Sequence, residues 1–143
     1  MINFDPEVGQ SRTVRRWLED RQDLCRLLLA EETAAQTYLH LARQLGGNGA
    51  AVLQRMAREA HAHSACLEGI CLLATGEAPA IGTMPPETGD PRILLRKCYG
   101  RAMRILATYE ARRTDPEYGP VLARLAAQQQ DHCRAILELV GRQ

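Results

Sequence analysis

Glu31, His63, Gln129 and His132 each interrupt a run of small and aliphatic residues at helical spacing, and these are the positions where the sequence could do chemistry. Glu31 stands in the series Trp17, Leu24, Leu28, Glu31, Ala35, Tyr38, Ala42, Leu45. His63 stands in Met56, Ala60, His63, Leu67, Ile70, Ala74, and Gln129 with His132 in Val121, Leu125, Gln129, His132, Ile136. Steps of three and four residues put each series on one helix face, so the polar members point where their apolar neighbours do. A carboxylate placed there must gain a cation or hydrogen-bond donors to offset its desolvation. One carboxylate with two imidazoles offers two chemistries: holding a divalent transition-metal ion, or closing a metal-free network of buried hydrogen bonds. Tyr38 and Tyr109 flank the set on the same faces. Two carboxylates stand near it as secondary candidates: Glu32, about 100° round the helix from Glu31, and Glu59, adjacent to the stripe position Ala60. His61 shares a face with Arg58, Ala65 and Glu68 and is expected in solvent.

Carrying these stripes takes helices, and the punctuation supplies their ends. Periodicity and breakers predict helices over about 13–45, 50–75, 91–113 and 116–140. Gly46-Gly47-Asn48-Gly49 closes the first and Gly76 the second, as glycine suits a left-handed C-cap. Asp90-Pro91 and Asp115-Pro116 each pair an N-cap residue with a proline at the first helical position. No stretch alternates β-branched and polar residues as strands do. Short turns make each consecutive pair an antiparallel hairpin, and the Pro/Gly-rich stretch 76–90 is long enough to cross the end of a bundle. The expectation is one all-α domain over 1–143: a four-helix bundle of two hairpins joined by a long crossover. An internal repeat agrees. Val52-Leu53-Gln54-Arg55-Met56-Ala57 parallels Val121-Leu122-Ala123-Arg124-Leu125-Ala126, and each valine is followed by a histidine (His63, His132) at the same distance.

Composition narrows the function classes. The 143 residues are 45% hydrophobic and 24% charged, which fits a single globular domain. Eighteen Lys+Arg against 17 Asp+Glu give a net charge of +1, without the concentrated basic footprint of a nucleic-acid binder. No apolar run is long enough to span a bilayer. The first ten residues carry Asp5 and Glu7 and no basic-then-apolar signal pattern, so a cytoplasmic protein is expected. Cys25, Cys66, Cys71, Cys98 and Cys133 form no CxxC pair and read as reduced thiols on helix faces. Gly46 to Gly49 follows a helix rather than a strand, so it is not a phosphate loop. No Ser/His/Asp or Cys/His arrangement for nucleophilic catalysis falls at one site. A homodimer is the expected assembly, with neither nucleic acid nor membrane as partner.

Three stretches carry a resemblance: Glu31-Glu32-Thr33-Ala34-Ala35-Gln36-Thr37-Tyr38, Met56-Ala57-Arg58-Glu59-Ala60-His61-Ala62-His63, and Gln128-Gln129-Gln130-Asp131-His132. Over nearly the whole chain the sequence resembles the ferritin-like superfamily, and within it the rubrerythrin-type domains. The resemblance implies a ferritin-like four-helix bundle with two iron or manganese ions, held by a Glu from each of two helices and a Glu-x-x-His from each of the other two. It also implies iron-dependent peroxide reduction or iron oxidation. Glu31 matches the first glutamate, Tyr38 the tyrosine that accompanies it, and His63 and His132 the two histidines. The other carboxylate positions read Ala60, Ala102 and Gln129. No rubredoxin-like CxxC pairs occur, so that electron-transfer module is not expected.

The missing carboxylates decide what the centre can hold. Two ions ~3.5–4 Å apart bring four positive charges into a low-dielectric core, which one aligned carboxylate cannot balance. The expectation is a degenerate centre that takes one iron or manganese ion on Glu31, His63, His132 and Gln129, with oxidoreductase activity weakened or lost. Two arrangements stay open beside it. One is a metal-free bundle that dimerises or binds a partner, with Ile81 and Met84 of the crossover as contact residues. The other is a two-ion site completed by Glu59, Glu32 or a partner chain.

Overall fold

The computed structural model describes residues 6–143 apart from 80 and 83, with side chains from Arg21 onward, so the Trp17 side chain lies outside it. Four helices follow one another: α1 (Pro6–Leu45), α2 (Gly47–Thr75), α3 (Pro91–Arg112) and α4 (Gly119–Gly141). Among the described residues there is no strand. The class is all-α.

Three helix starts differ from the sequence expectation. α1 is already helical at Pro6, ahead of the expected start near 13. α2 opens at Gly47 rather than 50, because Gly46 (φ 66°) and Gly47 (φ 59°) reverse the chain by themselves. α4 opens at Gly119 rather than 116. A start at 116 would bury Pro120 in the helix interior, where its ring clashes with the carbonyl four residues back. Instead Asp115 Oδ1 accepts from the backbone N–H of Glu117 (2.9 Å) and Tyr118 (2.8 Å), closing a turn, and Pro120 falls in the first turn of α4. The chain passes so close to itself there that a Cβ at position 119 would stand 2.5 Å from the Arg113 carbonyl oxygen. Only glycine fits. The Asp90-Pro91 start holds as read, with Asp90 accepting from Arg92 N–H at 2.9 Å.

Side-chain links set the helix directions. Arg112 donates to Asp23 at 2.5 Å and Tyr109 to Glu31 at 2.8 Å, so α3 runs against α1. Glu59 meets His132 and His63 meets Gln128, so α4 runs against α2. The helices therefore run up, down, down, up, and residues 76–90 return along the length of the molecule rather than across an end. They follow α1: Arg21 pairs with Glu77 at 3.1 Å, Glu87 N–H donates to Thr37 Oγ1 at 3.1 Å, and Gln44 Nε2 donates to the Gly89 carbonyl at 3.3 Å. Arg21 to Gln44 is ~35 Å of helix at 1.5 Å per residue. The chain from Glu77 to Gly89 reaches ~40 Å at full extension, enough to cover that length. Pro79, Pro85 and Pro86, fixed at extended φ, stiffen it.

The core has two apolar clusters. Leu41, Leu53, Met56, Leu95 and Ile136 anchor one; Leu28, Leu67, Ile105, Leu122 and Leu125 anchor the other. Between them lies a layer of buried polar side chains that includes Glu31, His63, Gln129 and His132.

Candidate functional site

Helical periodicity brings the four residues to the interior and the packing brings them together, each about 1% exposed. His63 Nδ1 lies 2.5 Å from Glu31 Oε2, and the same oxygen accepts from the Tyr109 hydroxyl at 2.8 Å. The His63 and His132 rings stack with centroids 5.6 Å apart and planes 19° from parallel. Tyr38 sets its edge against His132 at 6.3 Å and Tyr109 against His63 at 6.2 Å, so each imidazole is held by the stack on one side and a phenol ring on another.

The outward nitrogens cross over. His63 Nε2 lies 2.5 Å from Gln128 Oε1, and His132 Nε2 lies 2.6 Å from Glu59 Oε2. Glu59 and Gln128 each stand one helical turn before a histidine of their own helix and serve the histidine of the opposite one. The repeat in the sequence is thus a repeat in space, with an approximate two-fold relating the hairpins. It fails at one place. His63 has Glu31, whereas the matching position for His132 is Ala102, and His132 Nδ1 has no hydrogen-bond partner. Gln129 fills part of the gap by donating from Nε2 to the Ala102 carbonyl at 3.1 Å.

This asymmetry splits the two histidines electrostatically. For His63, burial disfavours the charged ring, but the bond to Glu31, its negative charge and the Gln128 acceptor prevail, and the pKa is raised. Both its N–H groups then have acceptors. For His132, burial prevails, assisted by the charge of His63 against the opposing pull of Glu59, and the pKa is lowered. A neutral His132 that donates Nε2–H to Glu59 leaves Nδ1 as a bare lone pair facing the layer. Burial, with the Glu31 charge, holds the Tyr109 hydroxyl far above its usual range. Burial does the same to Tyr38, with Cys98 and Glu31 adding to it. Both remain protonated phenols.

Three atoms of the layer are buried without a hydrogen-bond partner: Glu31 Oε1, Gln129 Oε1 and His132 Nδ1. Buried polar atoms are nearly always paired, and all three of these are acceptors. A buried water or a cation is the kind of partner such acceptors take. Among the described residues no three His, Cys, Asp or Glu side chains form a ready ligating group. Glu31 is engaged by His63, and Glu59 faces the outer nitrogen of His132.

Glu59 meets the outer nitrogen of His132 from an α2 that is continuous through it. Glu32 instead pairs with the exposed His61 at 3.2 Å, outside the layer. Gln128 is the residue that motif reasoning missed. Its signal was the internal repeat, which sets it in register with Glu59. No helix among the described residues is long and apolar enough to cross a membrane. No protein-family model, curated protein or solved structure matches the chain. The fold and the site define the class: a four-helix all-α protein with a buried carboxylate–histidine layer.

Proposed function

We propose that the chain is a ferritin-like bundle, akin to rubrerythrin-type domains, whose core holds one iron or manganese ion. Its up-down-down-up course with a lengthwise crossover supports the ferritin-like assignment. The observation that carries the metal reading is the trio of unpaired buried acceptors on Glu31, Gln129 and His132. Those residues would hold the ion, with His63 joining them on loss of its Nδ1 proton. Iron bound there would supply one-electron Fe(II)/Fe(III) redox chemistry.

The chain's own residues do the positioning. Glu59 and Gln128 fix the outer nitrogens, so both Nδ1 atoms face inward. Tyr109 steadies Glu31 Oε2, and the two apolar clusters keep bulk water away. One carboxylate with neutral donors balances one ion better than two, so the two-ion activity of the resembled family is weakened here or lost. Binding is proton-coupled, because an ion on His63 must displace its proton.

Titrating chelator-treated protein with Mn(II), or with Fe(II) under anaerobic conditions, tests the proposal. One ion per chain, bound more tightly as pH rises and releasing a proton, supports it. Two ions restore a dinuclear centre. No ion leaves the second reading, which the 2.5 Å Glu31–His63 contact favours: a metal-free bundle whose buried pair sets the helix register, acting by dimerisation or partner binding.

A further inference from the structure

Away from the buried layer, α3 exposes Arg92, Arg96, Lys97 and Arg104, with the mostly buried Arg101 beside them and Glu110 as the only acidic residue of the helix. These charges gather at a recess. A cavity of about 510 Å³ is bordered by Arg96, Lys97, Arg101, Arg104 and Ile93, with Glu87 of the crossover at its rim. A second cavity of about 370 Å³ adjoins it, shares Arg101 and Arg104 as a common wall, and is lined by Leu27, Ala30 and Ile105, with Arg26 and the Arg112-paired Asp23 at one side.

The cations bordering the recess outnumber its two carboxylates, Glu87 and Asp23, which pair with Arg101 and with Arg112 and Arg26. Arg101 pairs with Glu87 through Nη2, yet its Nη1 is buried without a partner. Among the described residues, no carboxylate pairs with Lys97 or Arg104, and the Arg96 guanidinium donates to the Arg92 carbonyl. Arg101 and Arg104 stand close enough to repel: burial first, and then the Arg104 charge, pull the Arg101 pKa down. Gly100 lines the first cavity without a side chain; a Cβ there would sit 3.4 Å from Arg104 Nη1.

We propose that this groove binds a small organic phosphate, with the phosphate on Arg101, Arg104 and Lys97 and its apolar body along Leu27, Ala30 and Ile105. Guanidinium groups grip a tetrahedral oxyanion through paired N–H donors. The two cavities together fall in the usual size range of small-ligand sites, roughly 300–1,000 Å³. A small ligand fits better than a nucleic acid, because the cations converge on one recess and the chain's net charge is only +1.

The test uses the full chain and three probes: phenyl phosphate, inorganic phosphate and phenol, each titrated and followed by amide NMR shifts. Phenyl phosphate is expected to bind about tenfold tighter than inorganic phosphate, the gain from burying roughly 60 Å² of apolar surface. Phenol alone is expected not to bind. Arg104→Gln and Lys97→Gln should each weaken phenyl phosphate at least about fivefold with unchanged melting temperature, since neither cation has an ion-pair partner to lose among the described residues. Equal affinity for the two phosphates overturns the proposal, as does indifference to both substitutions. Tighter binding of a single-stranded oligonucleotide than of phenyl phosphate also overturns it, in favour of a polyanion surface.

Discussion

Replacing Glu31 by Gln keeps the shape of the side chain and removes its charge, which isolates what the carboxylate does. Glu31 Oε2 takes two hydrogen bonds, from His63 at 2.5 Å and from the Tyr109 hydroxyl at 2.8 Å, in a layer about 1% exposed. In chelator at pH 8 the substitution should cost about 1.5–3 kcal/mol, the worth of a hydrogen bond to a charged group. Acid should enlarge the loss. With Glu31 gone, burial leaves His63 neutral in the folded chain, while the unfolded chain takes up a proton at an ordinary histidine pKa of about 6.5. At pH 5.5 that mismatch adds at least ~1.4 kcal/mol, one pH unit of unclaimed protonation. The parent escapes it because its raised His63 pKa lets the folded state bind the proton. His132 is common to both proteins and largely cancels. With an unfolding entropy of ~2.1 cal/mol/K per residue, the melting temperature should fall by ~5–10 °C at pH 8 and a further ~5 °C at pH 5.5. Thermal melts of both proteins in chelator at the two pH values measure this. A loss that is the same at both, or absent, would refute the Glu31–His63 pair as a buried charged contact.

Four further outcomes are expected. Parent stability should decline on both sides of neutrality: the raised His63 contribution is lost as pH rises through its folded pKa, and the lowered His132 one as pH falls below about 6.5. Urea midpoints from pH 5 to 9 should then lose their alkaline limb in His63→Gln and their acid limb in His132→Gln. Glu59→Gln should weaken Mn(II) or Fe(II) binding by about 10- to 100-fold, because Glu59 orients the ligating face of His132; calorimetric titration gives the change. Gln129→Glu should strengthen ion binding in the same titration, yet destabilise the metal-free protein by about 1–3 kcal/mol by removing the donor to the Ala102 carbonyl. Gly119→Ala should cost about 1–3 kcal/mol in urea unfolding, since its Cβ meets the Arg113 carbonyl oxygen at 2.5 Å and backbone must move.

Which residues face inward was legible in the sequence, because the face of a helix is a local property of its period. The steps of three and four residues around Glu31, His63, Gln129 and His132 put all four in the interior, where the structure has them. Gly76 and Asp90-Pro91 marked helix ends correctly for the same reason: caps depend on a few neighbouring residues. Asp115-Pro116 misled because two prolines competed for one helix start, and Pro120 prevailed only once the chain also had to pass close to Arg113. Partnership was not legible. Gln128 to His63, Glu59 to His132 and Tyr109 to Glu31 join residues 65, 73 and 78 positions apart. Periodicity gives each helix its inner face but not its slide or rotation against the next, which packing of the two apolar clusters decides. The crossover's path along α1 rests on contacts such as Arg21 with Glu77 and Gln44 with Gly89, which no local pattern announces. The repeat announced two like halves. That one half sets a histidine on a carboxylate, and the other leaves His132 Nδ1 without a partner, depended on which side chains the assembled helices brought within bonding distance.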